Sequence, residues 1–82
     1  IYSTTEPCPM CFSAIHWARI ESVIYGTSIA DACRIGFREL RISCRTMKQK
    51  GGSPVNIKSG FMLEECRALF DDWMNLPGRQ IY

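Results

Sequence analysis

Thr5-Glu6-Pro7-Cys8-Pro9-Met10-Cys11 is the stretch that decides both the fold and the chemistry of this chain. Cys8 and Cys11 stand one helical turn apart, so at a helix start their sulfurs converge on one point beyond the N-terminus. Pro9 suits the first helical position, where a missing N–H costs nothing, and Cys8 falls at the cap. The unpaired N–H groups and dipole of that terminus favour thiolate over thiol, and a divalent cation would deprotonate both groups outright. Three chemistries use such a pair: half a structural zinc site, a thioredoxin-like redox pair, or two of the three protein ligands of a catalytic zinc.

Working outward, Ile1 to Thr4 is a short β-rich run that Thr5 to Pro7 turns toward the cysteine pair. A helix is expected from about Pro9 to Arg19, with Cys11, Phe12, Ile15 and Ala18 on its apolar face. Ser22-Val23-Ile24-Tyr25-Gly26 reads as a continuous apolar strand of the kind buried in a parallel sheet. Strand, helix and strand then make a βαβ crossover, which puts Cys8 and Cys11 at the carboxyl edge of the first strand, where open α/β sheets bind ligands. Ser28 and Asp31 resemble a capping box opening a short helix closed by Gly36. Ser43 caps a further turn running to Lys50 and ended by Gly51-Gly52. Val55-Asn56-Ile57, after Pro54, is an edge strand. Met62, Leu63, Cys66, Leu69, Phe70 and Trp73 repeat at helical spacing until Pro77-Gly78, and this stripe is expected to pack on the sheet as core.

The run Glu6-Pro7-Cys8-Pro9-Met10-Cys11-Phe12-Ser13-Ala14-Ile15-His16-Trp17-Ala18-Arg19 resembles the zinc-binding helix of the cytidine deaminase-like superfamily, in its branch of guanine, tRNA adenosine and nucleoside deaminases. Val23-Ile24-Tyr25-Gly26, Gly36-Phe37-Arg38-Glu39-Leu40 and Gly51-Gly52-Ser53-Pro54-Val55 continue the resemblance, which therefore spans nearly all the chain. It implies an α/β fold, the three-layer α/β/α sandwich, and zinc-dependent hydrolytic deamination of a purine base or nucleoside. It also implies Cys8 and Cys11 as zinc ligands. The other half of the family signature, His-x-Glu, supplies a third ligand and the proton-carrying Glu; neither lies ahead of Glu6 here. Residues 1–82 are accordingly expected to form the C-terminal portion of one deaminase-like domain, lacking the first strands and the His-x-Glu helix, with no catalytic residue of their own. A companion N-terminal segment would complete them.

By the same resemblance Trp17, Glu39 and Tyr82 match positions that contact the purine in guanine deaminases. There the C-terminal tail crosses to a partner subunit, so a homodimer is implied. The plainer roles are Trp17 in a core, Glu39 paired with a neighbouring Arg and Tyr82 frayed. His16 lies five residues after Cys11, about 140° round the helix, and so points away from the pair as a structural or surface histidine. Glu6 precedes the helix, favours its positive end, and is not placed to be the catalytic base.

Composition narrows the remaining choices. A chain of 82 residues holds at most one small domain, and its 46% hydrophobic and 22% charged residues are ordinary for a globular one. A net charge of +2 does not by itself argue for nucleic acid. Arg34, Arg38, Arg41, Arg45, Lys48 and Lys50 cluster nonetheless; a solvated helical face accounts for them, and tRNA is the alternative. Five cysteines without a regular framework point to a reducing compartment, and no apolar run is long enough to cross a membrane, so a cytoplasmic location is expected. A second class of function stays open: a deaminase-fold binding or scaffold module that has lost its chemistry.

Overall fold

The computed structural model describes all residues from 1 to 82. Seven elements follow in order: β1 (Tyr2–Thr5), α1 (Pro9–Trp17), β2 (Ser22–Thr27), α2 (Ile29–Arg34), α3 (Cys44–Gly51), β3 (Asn56–Lys58) and α4 (Leu63–Met74). The three strands form one sheet in the order β1-β2-β3. Both pairings are parallel, with Tyr2 opposite Ile24 and Val23 opposite Ile57. β2 is thus central, as its unbroken apolar run requires.

Side chains alternate across β2 and set the layers. Val23 and Tyr25 point to one face, where they join Phe12 and Ile15 of α1, Cys44 of α3, and Val55 in a buried cluster of six. Ile24 and Gly26 point to the other face, toward Phe61 and Cys66 at the start of α4. α1 and α3 therefore cover one side of the sheet and α4 the other, giving the α/β/α sandwich that the sequence implies.

Local chemistry fixes the ends of the helices. α1 stops earlier than its pattern suggests: Ala18 caps it, and Arg19 turns left-handed at φ 58°. Only Pro9, Phe12 and Ile15 of α1 are buried, while Cys11 and Ala18 are exposed. Ser43 Oγ accepts from Thr46 N–H at the start of α3, and Gly52 ends that helix with φ 68°. β3 begins one residue later than expected, at Asn56.

The expected burial of α4 is only partly realised. Cys66 and Phe61 rest on β2, but no α4 residue is fully buried, and Met62 and Leu69 remain 55% and 49% exposed. The physical reason is width: α4 meets the three-stranded sheet only near its start, at β1 and β2, and further along its stripe lies against Phe37 and overhangs the sheet. The exposed surface of 5791 Å² exceeds the roughly 5,000 Å² usual for a folded chain of 9.4 kDa.

α2 carries a full capping box. Asp31 N–H donates to Ser28 Oγ at 3.1 Å, and Ser28 N–H donates to Asp31 Oδ2 at 3.0 Å. That backbone N–H holds the Asp31 carboxyl below its ordinary value of 3.8; the Ser28 hydroxyl, Arg34 and Arg67 add to the effect and burial opposes it. A depressed carboxyl stabilises the fold above its unfolded value, and that contribution is lost as pH falls through the lower folded value. Asp31→Asn is therefore expected to cost about 1 kcal/mol at neutral pH and nothing further in acid. Urea titrations of both proteins at pH 7 and pH 3 check this: the gap between them should narrow at the lower pH.

Candidate active site

The end of β1 feeds straight into the cysteine pair. Glu6 N–H donates to Thr27 O at 2.7 Å and carries the β1–β2 ladder past the strand end. Cys8, with φ −67° and ψ 170°, then turns the chain into α1, and its carbonyl accepts from Phe12 N–H at 2.8 Å. Pro9 takes the first position. The Cys8 side chain makes no capping bond, which leaves its sulfur free.

Cys8 is half-buried and Cys11 exposed. The neighbouring Cys8 thiol is the main reason the Cys11 thiol is raised from its ordinary value, with burial and the charges of Cys8 and Glu39 adding to it. The Cys8 thiol first, then burial and the nearby charges, thus oppose the pull of the helix terminus on Cys11. A divalent cation inverts this balance and deprotonates both.

Glu39 reaches the same place from the segment after α2. Its Oε2 is buried without any hydrogen-bond partner, and burial first, then the Glu6 charge, raises its carboxyl. Cys8, Cys11 and Glu39 line one cavity of about 540 Å³, walled by Ser3 and Thr5 of β1 and by Ala14 and Ile15 of α1. The Arg partner considered for Glu39 is not there. The cavity therefore offers two soft sulfur donors and one buried acceptor beside an apolar wall. Two thiolates suit zinc in donor type, and they are half of a tetrahedral set. Glu6 and Glu39 also line the cavity, but no three His, Cys, Asp or Glu side chains of residues 1–82 are grouped closely enough to hold a metal ion.

Glu6 is buried at 6% exposure, and both of its carboxylate oxygens accept backbone N–H groups: Oε1 from Ile29 at 3.0 Å, Oε2 from Cys44 at 2.9 Å. It serves the N-termini of α2 and α3 rather than that of α1, which corrects the sequence reading. Each oxygen is thus engaged by one backbone N–H. Burial, with the Glu6 carboxylate next, pushes the neighbouring Cys44 thiol up to about 11. Sequence reasoning missed this double cap, and the only signal was an acidic residue set directly before Pro-Cys.

The other candidates lie apart from this cavity. His16 Nδ1 is 2.8 Å from Ser53 Oγ, on the flank away from the cysteines, as the helical angle indicates. Trp17 is 82% exposed and stacks edge-on to His16, beside Arg19 and Pro54. Tyr82 is 79% exposed; its carbonyl accepts from Arg38 N–H at 2.7 Å, so the tail runs next to the Glu39 segment.

Comparison with known proteins agrees with this geometry. Residues 1–27 match the family described as the cytidine and deoxycytidylate deaminase zinc-binding region. The whole chain is 49% identical to a guanine deaminase of Bacillus subtilis, of which it covers 52%. Over 70 residues, 79% of its length, it is 27% identical to a probable cytosine deaminase of Schizosaccharomyces pombe, covering 43% of that protein. The chain thus spans about half the length of the curated relatives it matches. Among solved structures, a guanine deaminase from Nitrosomonas europaea superposes with a TM-score of 0.79 at 24% identity, over 92% of this chain and 41% of that one. A mutant protein in complex with 8-azaguanine gives 0.77 at 25%, over 89% and 40%.

Proposed function

Since the chain belongs to the cytidine deaminase-like superfamily, we propose that it forms part of a zinc-dependent hydrolytic deaminase acting on a purine base, with free guanine the leading substrate. The observation that carries this reading is the buried, unpartnered Oε2 of Glu39 in the cavity of Cys8 and Cys11. A buried acceptor without a donor is costly, and an N–H of a bound purine supplies what it lacks.

Cys8 and Cys11 would hold the zinc. The ion supplies an acidified water for hydrolysis when bound. Around it, Glu39 orients the base by accepting its N–H, and the Ala14 and Ile15 wall shields the ring from solvent. The third protein ligand and the proton-carrying Glu belong to residues outside 1–82. Trp17 and Tyr82 are further candidates for the purine, although neither lines the cavity of Cys8 and Cys11 within this chain. The overhanging apolar stripe of α4 supports homodimer assembly as part of the same proposal.

Ammonia release by the full-length protein from free guanine, from cytosine and from a tRNA anticodon loop tests the reading. Guanine turnover is expected. Adenosine deamination in the tRNA would transfer the reading to the basic residues around α3, and zinc without turnover of any base would indicate a binding module. Glu39→Gln is expected to raise KM for guanine roughly tenfold with zinc content unchanged, since a charge-assisted bond to the base becomes a neutral one.

A further inference from the structure

Glu6 is buried, and its two carboxylate oxygens each accept an N–H at the start of a helix, α2 and α3. Those helices have no substitute for it. Ser28 Oγ already accepts from Asp31 N–H and Ser43 Oγ from Thr46 N–H, so the N–H groups of Ile29 and Cys44 depend on Glu6. Glu39 lies on the segment between Ile29 and Cys44. Glu6 itself is pinned to Thr27 and stands two residues before Cys8.

We infer that Glu6 is a positioning residue: by tying the first residues of α2 and α3 to the turn that carries Cys8, its carboxylate holds Glu39 at the cysteine pair. The inference rests on the proposed function in taking Glu39 as a contact to the base. It assigns Glu6 no chemistry, because neither oxygen is free.

Two substitutions break the tie from opposite ends. Glu6→Gln keeps the shape but turns an amide N–H against one of the two backbone N–H groups. Cys44→Pro removes a donor instead; the first helical position accepts proline, and Ser43, at φ −66° and ψ 152°, already has the extended backbone a residue before proline takes.

In the zinc-loaded full-length protein, Glu6→Gln is expected to raise KM for guanine roughly tenfold and to change kcat less than about threefold. Cys44→Pro should do the same, which keeps the test alive if Glu6→Gln does not fold. Adding Glu6→Gln to Glu39→Gln should raise KM no further, because both act through one contact. Where Glu39→Gln raises KM, a lower Tm with unchanged KM in Glu6→Gln, or KM effects that multiply in the double variant, would overturn the inference. Amide hydrogen exchange of residues 35–43 reads the positioning directly: faster exchange in Glu6→Gln supports it, and unchanged protection rejects it. If Glu39→Gln leaves KM unchanged while that exchange accelerates, the reading of Glu39 fails and the positioning role of Glu6 stands.

Discussion

If the proposed function holds, Cys8→Ser or Cys11→Ser in the full-length protein is expected to abolish zinc binding and reduce deamination on the order of 10³-fold or more. These two sulfurs are the only soft donors the chain brings together, and a hydroxyl stays protonated where a thiol ionises under the cation. The fold should survive both changes. Cys8 makes no side-chain bond as helix cap, so Ser there is at least as good a cap, and Cys11 is exposed. A thermal melt shifted by only a few degrees, alongside zinc lost in elemental analysis, would locate the defect in the metal site. Stoichiometric zinc retained by Cys11→Ser would refute the assignment. Wild-type protein that carries no zinc and whose two thiols alkylate freely would favour the redox pair instead.

The parts of this molecule that were legible in the sequence are those decided locally. The β1-α1-β2 unit, the caps at Ser28 and Ser43, and the stop at Gly52 each follow from residues within a few positions of one another. The His16 orientation followed from helical angle alone. What could not be read depends on distance along the chain. Glu6 meets partners 23 and 38 residues away, and no local pattern announces a carboxylate that caps two helices. The α4 stripe shows the same limit from the other side. Periodicity identifies which face is apolar, but how deeply it is buried depends on how many strands lie beneath it. Glu39 was marked by resemblance alone; its buried oxygen became visible only when α2 and its following segment were placed over the cysteines.

Gly26→Ala should destabilise the fold by about 1–3 kcal/mol, and Gly26→Val by more, while leaving the metal site intact. Gly26 sits on central β2 and faces α4, where the chains approach so closely that an added Cβ would overlap Cys66 Sγ. It would also stand 2.7 Å from Cys66 Cβ and 3.0 Å from Phe61 O. The sheet cannot give way, because β2 is paired on both sides and its other face is packed against α1 and α3. Relief has to come from α4, whose entry is held by the bond from Phe61 N–H to Tyr25 O at 3.0 Å. Denaturant unfolding of the full-length variant measures the loss. Cys66→Ala on the Gly26→Ala background should recover part of it by deleting the sulfur that clashes. Zinc content and KM, measured well below the melting temperature, should match wild type, since α4 and the cysteine pair lie on opposite faces of the sheet. An unchanged Tm for Gly26→Ala would mean that α4 does not press on β2 as closely as this packing requires.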